Sequence, residues 1–242
     1  MDIKNESGFP TGSLLYILRS IKKGTCKEIF KLEKDEDYIA FLIDFLKLCD
    51  LSIKQIQTVN RNTRQKKLDS VNDLKEAMIH SYMKKGSFNI DLESIIKDDM
   101  TGRIEACDDF LIDNCSVPKV EQEALDNFIE EINSLRNDIK EAEINEELKD
   151  IILVHLNSVY ESILKYNLFG MEEVKDSVTR TIGTLCLMTN ECKTETDKTV
   201  MKNVLALMSK FNTVFGFFKN AGGAVRIADT IIKLIQCSLP MF

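Results

Sequence analysis

The sequence predicts an all-α protein: a helical N-terminal domain, then a C-terminal antiparallel helical unit with an apolar tail suited to lining a membrane pore. Three observations carry that expectation. Apolar residues recur at three- and four-residue spacing along most of the chain, the period of one helix face. Only three prolines interrupt 242 residues, in a composition rich in Leu, Ile, Lys and Glu. No stretch reads as a convincing strand.

The elements follow in order. Residues 1–12 hold Gly8, Pro10 and Gly12 and predict an irregular arm. Ser13 is placed to cap a short helix with Leu14, Leu15, Leu18 and Ile21 facing inward, ending at Gly24. Tyr38, Ile39, Leu42, Phe45, Leu46 and Leu48 predict a second helix. A polar segment with Arg61, Arg64, Lys66 and Lys67 follows. Helix resumes through Val71, Leu74, Met78 and Tyr82 to Lys84-Lys85-Gly86, where cations and then a glycine suit a C-terminus.

Residues 89–115 are acidic, with Ile90, Leu92, Ile95 and Ile96 marking one short helix and Ile104, Cys107, Phe110 and Leu111 another. Ser116-Val117-Pro118 reads as a boundary. Beyond it, Leu125, Phe128, Ile129, Ile132, Leu135 and Ile139 form one amphipathic stripe. Asn145 caps a helix whose inner face is Leu148, Ile152, His155, Val159 and Ile163, with Glu146 and Glu147 in its first turn. Asn167 to Gly170 reads as a turn, and Met171, Val174, Val178, Ile182 and Leu185 line a third helix. Short connections imply antiparallel packing. Thr189 to Asp197 reads as a polar linker. The expected division is 1–118, a possible signal-binding domain; 119–190, an acidic three-helix unit; and 191–242, linker and tail.

Charge and cysteine content narrow the function classes. The net charge of -7 argues against duplex DNA bound over most of the surface, while leaving room for a local basic patch. From Glu121 to Asp176 fifteen acids face five bases, so the outer faces there are strongly negative. Seven cysteines without a Cys-x-x-Cys spacing predict reduced thiols packed as small apolar residues. The N-terminus lacks the basic region and cleavage site of a secretory signal. No run of eighteen apolar residues offers an ordinary membrane span, so entry into a bilayer requires an assembly.

No catalytic motif is present: no Gly-rich phosphate loop, no Gly-x-Ser-x-Gly, no His-Glu-x-x-His. The chain is expected not to be an enzyme and to need no cofactor or metal. His155 on an apolar face and His80 at a helix end read as structural residues. Asp98-Asp99 and Asp108-Asp109 read as solvated acidic faces.

Two groups of residues remain. Arg61, Arg64, Lys66, Lys67, Lys84 and Lys85 are the best candidate anion site, because guanidinium forks suit phosphate. Asn62 and Gln65 could read a base edge, and Tyr82 could stack on a base. A solvated loop with ordinary helix-end lysines is the competing account.

The tail, Asp197 to Phe242, is the more apolar group. Lys219, Arg226 and Lys233 recur every seven residues, an interval that returns to within about 20° of the same helix face. In a symmetric oligomer that stripe could ring a pore and favour anions; in a monomer it could snorkel along a membrane surface. Phe215 and Phe218 lie elsewhere on the helix, and Gly222-Gly223 is a hinge among small residues that let helices approach. A core hairpin of a soluble bundle, with its cations in water, is the alternative. Asp229 counts against deep insertion unless it pairs or faces water.

From about Leu125 to Leu187 the chain reads LRNDIKEAEINEELKDIILVHLNSVYESILKYNLFGMEEVKDSVTRTIGTL in its central part. An acidic helix, a short break, a long helix ending in a Gly-containing turn and a helix opening with acids follow one another. An apolar, small-residue-rich segment comes after them. This pattern resembles helical effectors of bacterial antiphage defence, in particular the channel-forming effector of Hailong-type systems. The resemblance implies a homo-oligomeric channel on the cytoplasmic side of the bacterial inner membrane, in contact with membrane lipid. It also implies a short single-stranded DNA or nucleotide signal, made by a partner nucleotidyltransferase, that holds the channel closed. The runner-up is a soluble cytoplasmic interaction protein, immunity- or antitoxin-like, whose acidic helix faces bind a basic partner.

Overall fold

A computed structural model describes residues 5, 7–22, 26–85, 98–116 and 120–215. Every regular element among them is helical. The helices are α1 (Pro10–Ile21), α2 (Cys26–Phe30), α3 (Asp35–Thr58), α4 (Arg64–Lys85), α5 (Asp98–Asn114), α6 (Gln122–Glu141), α7 (Glu146–Leu164), α8 (Tyr166–Phe169), α9 (Met171–Leu187) and α10 (Glu195–Phe215). A single 3-10 turn, Met188–Glu191, joins the last two.

The chain divides into two compact units. The first comprises the chain to Val117 together with Asn167–Met171; the second comprises Pro118–Tyr166 and the chain from Glu172. Helix α10 belongs to the second unit and packs on α6.

In the first unit α1 packs on α3 and α5, and α4 packs on both α3 and α5. Leu14, Ile17, Leu18, Phe45, Leu48, Ile56, Val71, Leu74 and Ile104 are buried at helical spacing and fill the middle. Removing each such side chain from water stabilises by roughly 1.5–3 kcal/mol before chain entropy is counted. Leu168 and Phe169 join this core from far along the chain, and Lys47 Nζ lies 4.6 Å from the Phe169 ring centroid.

Several local expectations are corrected. Helix α1 starts at Pro10, not after Ser13, because a proline at the first position loses no needed N–H. Ser13 is therefore inside the helix, and its buried hydroxyl donates to the Leu168 carbonyl at 2.6 Å. The region around Asn167–Gly170 is partly the one-turn helix α8, followed by Gly170 at φ +71°. His80 lies inside α4, exposed, not at its end. Residues 86–97 and 117–119 hold the expected short helix at Ile90–Ile96 and the Pro118 boundary. They fall outside the described residues, as does Gly24.

In the second unit most of the expected inner-face residues are buried, while Ile129, Leu135 and His155 are only half-buried. Leu125, Phe128, Ile132 and Ile139 of α6, Leu148, Ile152, Val159 and Ile163 of α7, and Val174, Val178, Ile182 and Leu185 of α9 are all buried. Asn145 caps α7, its side chain accepting from Leu148 N at 3.1 Å. Helix α10 contributes Met201, Val204, Leu205, Met208 and Phe211 to the interior. Phe211 stacks on Phe128 with ring centroids 3.9 Å apart.

Two helix glycines have open space around them: a Cβ at Gly102 in α5 or Gly183 in α9 would meet nothing within 4 Å. Gly102→Ala and Gly183→Ala should each stabilise their unit by about 1 kcal/mol, by removing unfolded-chain freedom in a helix. A higher urea midpoint checks this; a lower one would mean that the helix surface at that point is already covered.

Candidate anion-binding surface

Helix α3 stops where Val59 turns extended, and its N–H still reaches back to Ile56 O at 3.1 Å. Residues 60–63 then turn, and Arg64 N bonds Arg61 O at 3.0 Å as α4 begins. Helix α4 has no acid in its first turn, so nothing there offsets the positive end of its dipole. Arg64, Lys66 and Lys67 instead occupy that turn. The sequence placed them in a loop before the helix; they are its first residues, because nothing after Thr63 breaks the helix.

Neutral partners hold the arginines. Arg61 Nε donates to Asn114 Oδ1 at 3.0 Å, and Asn114 is itself fixed by donating to Phe110 O at 2.8 Å. Arg64 Nη1 donates to Gln57 O at 3.3 Å, at the end of α3. Lys66 is exposed and Lys67 half-buried. Gln65, expected as a base reader, donates to Asp69 at 2.9 Å.

Ion pairs engage many of the described cations. Lys31, Lys34, Arg136, Lys140 and Lys202 have none among the described residues, but they are scattered, whereas four such cations cluster at this turn. Arg19, Lys75, Arg103, Lys149, Lys175, Arg180, Lys193, Lys198 and Lys210 each pair with an acid. Among the described residues Arg61, Arg64, Lys66 and Lys67 pair with none. Four cations within seven residues thus gather at the positive end of a helix: Arg61 and Arg64 on neutral oxygens, Lys66 exposed, and Lys67 half-buried near the Cys107 thiol. Such a group can take phosphate or carboxylate oxygens without first breaking an ion pair.

The other expected binders do not join it. Tyr82, Lys84 and Lys85 are in the last turn of α4, about 30 Å along the axis from Arg64 at 1.5 Å per residue. The two ends of α4 are therefore separate places. The side chains of these three residues lie outside the described parts. So do the side chain of Phe215 and all of Phe218, Lys219, Gly222, Gly223, Arg226 and Lys233.

The remaining polar groups are structural in geometry. Asp108 is buried, not solvated as expected: its Oδ1 accepts from Thr11 Oγ1 at 2.6 Å and Ser7 Oγ at 2.9 Å. Burial pushes its carboxyl up, and the two hydroxyls pull it partly back. Burial likewise raises Cys49 to about 12 and Cys107 to about 11, so neither is a ready thiolate nucleophile. The described cysteines are free thiols. His155 is held below its usual value by burial and by Arg180. Among the described residues no three metal-ligating side chains come together, and no helix is long and apolar enough to cross a membrane.

Sequence reasoning missed Asp197. It is 1% exposed, and its carboxylate accepts from Asn145 N, Lys193 N and Thr194 N at 3.1, 3.0 and 2.8 Å. Thr194 Oγ1 in turn accepts Asp197 N at 3.0 Å, completing a capping box at the start of α10. Thr194-Glu-Thr-Asp197 before an apolar run is the sequence signal for it.

No protein-family model matches the chain, and neither does any curated protein or solved structure.

Proposed function

We propose that the chain is a bacterial antiphage-defence effector in which the α3–α4 turn reads an anionic nucleic-acid signal and the C-terminal segment acts on the inner membrane as a gated ion channel. The observation that carries the reading is the group Arg61, Arg64, Lys66 and Lys67, four cations without an acidic partner among the described residues. Support for the membrane half comes from composition. Residues 216–242 hold three cations and one acid among phenylalanines, isoleucines and small residues. They continue directly from α10, whose buried face anchors them to a folded unit.

Gating follows as population shift. A homo-oligomer closed with signal bound is stabilised by the signal's greater affinity for that state, and loss of the signal releases it. A short single-stranded DNA or nucleotide from a partner nucleotidyltransferase is the signal the family resemblance implies.

The test pairs two readouts on the purified full chain: anisotropy with a labelled single-stranded oligonucleotide, and ion flux from anionic-lipid vesicles. Binding should weaken with salt, each contacted phosphate contributing about -0.7 to the log–log slope. R61E/R64E/K66E/K67E should weaken binding at least tenfold, while K84E/K85E leaves it nearly unchanged. The oligonucleotide should suppress flux. A chain that neither binds it nor moves ions would leave the acidic faces of α6 and α7 as the place to seek a basic protein partner.

A further inference from the structure

We infer that Asn114, at the end of α5, is a positioning residue for the anion surface: it holds the Arg61 guanidinium by its Nε and leaves the Nη1–Nη2 edge to meet phosphate oxygens. The Asn114 amide is fixed from both sides. Its Nδ2 donates to Phe110 O at 2.8 Å, and its Oδ1 accepts from Arg61 Nε at 3.0 Å. A carbonyl only accepts and a guanidinium N–H only donates, so these two bonds admit one orientation of the amide. The guanidinium is planar, so an engaged Nε sets the direction of its other edge. That edge carries two parallel N–H groups, the match for two phosphate oxygens. Among the described residues neither Nη of Arg61 has a partner.

The amide at 114 supplies an acceptor without cancelling the arginine's charge, where a carboxylate would close an ion pair on it. Asp113, exposed in the same turn of α5, makes no ion pair with Arg61 among the described residues. Arg64 is held in a similar way: its Nη1 donates to Gln57 O at 3.3 Å in the last turn of α3, and its Nε–Nη2 edge remains. Neither α3 nor α5 has a base of its own in its last turn. Each negative helix end therefore steadies the arginine it receives. Capping of α3 and α5 alone would account for the bonds, but it predicts a change in stability and none in binding. Holding a long side chain in place before the ligand arrives lowers the ordering cost of binding.

This inference rests on the reading of the α3–α4 turn as a phosphate-binding surface. The test measures the anisotropy of a labelled oligothymidine strand with the purified full chain over a salt series, with a urea midpoint for every variant. Asn114→Ala should weaken binding about three- to tenfold, the effect of freeing one long side chain, with the salt slope kept because Arg61 stays charged. Asn114→Asp should weaken it and also reduce the slope by about 0.7, as Arg61→Ala does, since the new carboxylate pairs with the guanidinium. In the Arg61→Ala background Asn114→Ala should add nothing. Wild-type binding by Asn114→Ala, or an equal loss in the Arg61→Ala background, overturns the positioning role. Failure of the surface itself is distinct: the wild-type chain does not bind the strand, or R61E/R64E/K66E/K67E binds it as well, and the positioning role falls with it.

Discussion

Asp197→Ala is expected to lower the stability of the second unit by about 3 kcal/mol, since three main-chain N–H groups lose their acceptor together. The carboxylate closes the first turn of α10 and also holds Asn145 N, the residue before α7, so one side chain serves two helix starts. Both starts are positive dipole ends, which favours the charged form. Burial alone would raise Asp197, but the N–H groups of Thr194, Asn145 and Lys193 and the Thr194 side chain outweigh it and hold the carboxyl below its ordinary range. A depressed folded value means that the stabilisation is complete above the unfolded value, about 3.9, and is lost as pH falls through the folded one. Asp197→Asn should therefore lower the urea midpoint at pH 7 and flatten the fall between pH 5 and pH 2. Equal midpoints for wild type and variant at pH 7 would mean that water replaces these bonds without cost.

Gly170→Ala should destabilise the first unit by about 3 kcal/mol. At φ +71° a Cβ costs roughly 1–2 kcal/mol in backbone strain. The added carbon would also lie 2.6 Å from the Gly8 carbonyl oxygen, a backbone atom with no flexible end to move aside. Overpacking of this kind typically costs a further 1–3 kcal/mol. Gly8 is itself at φ +76° and is pinned through its N–H to Asn5 Oδ1 at 2.9 Å, which limits its retreat. Chemical denaturation with a probe in the first unit checks the result. A variant with wild-type stability would show that the arm at Gly8 gives way freely.

The inner faces of α6, α7 and α9 were legible because periodicity reports burial directly: a residue repeating at helical spacing has one side to hide. Asn145 was legible because a cap is a local bond, three residues long. Pairings over long separations were not. Asp108 looks like any surface acid until α1 brings Thr11 against it, and nothing at residue 108 announces residue 11. The α3–α4 cations were visible as charge, but their common feature, the lack of acidic partners, exists only once neighbouring helices have claimed or declined each acid. Grouping them with Lys84 and Lys85 failed for a simpler reason. Nearness in sequence is distance along a helix axis, and α4 is long.

Leu168 and Phe169 give the first unit a constraint in time as well as in space. During synthesis the chain emerges N-terminus first, so residues 1–117 leave the ribosome well before the five residues that finish their core. Until residues 118–166 have also been made, the pocket that Phe169 fills stands open and the Ser13 hydroxyl has no Leu168 carbonyl to meet. Neither unit is a self-contained stretch of polypeptide that matures alone and then waits. The first is completed from within the connection between two helices of the second, which couples the ripening of any anion surface on α4 to translation of the C-terminal half.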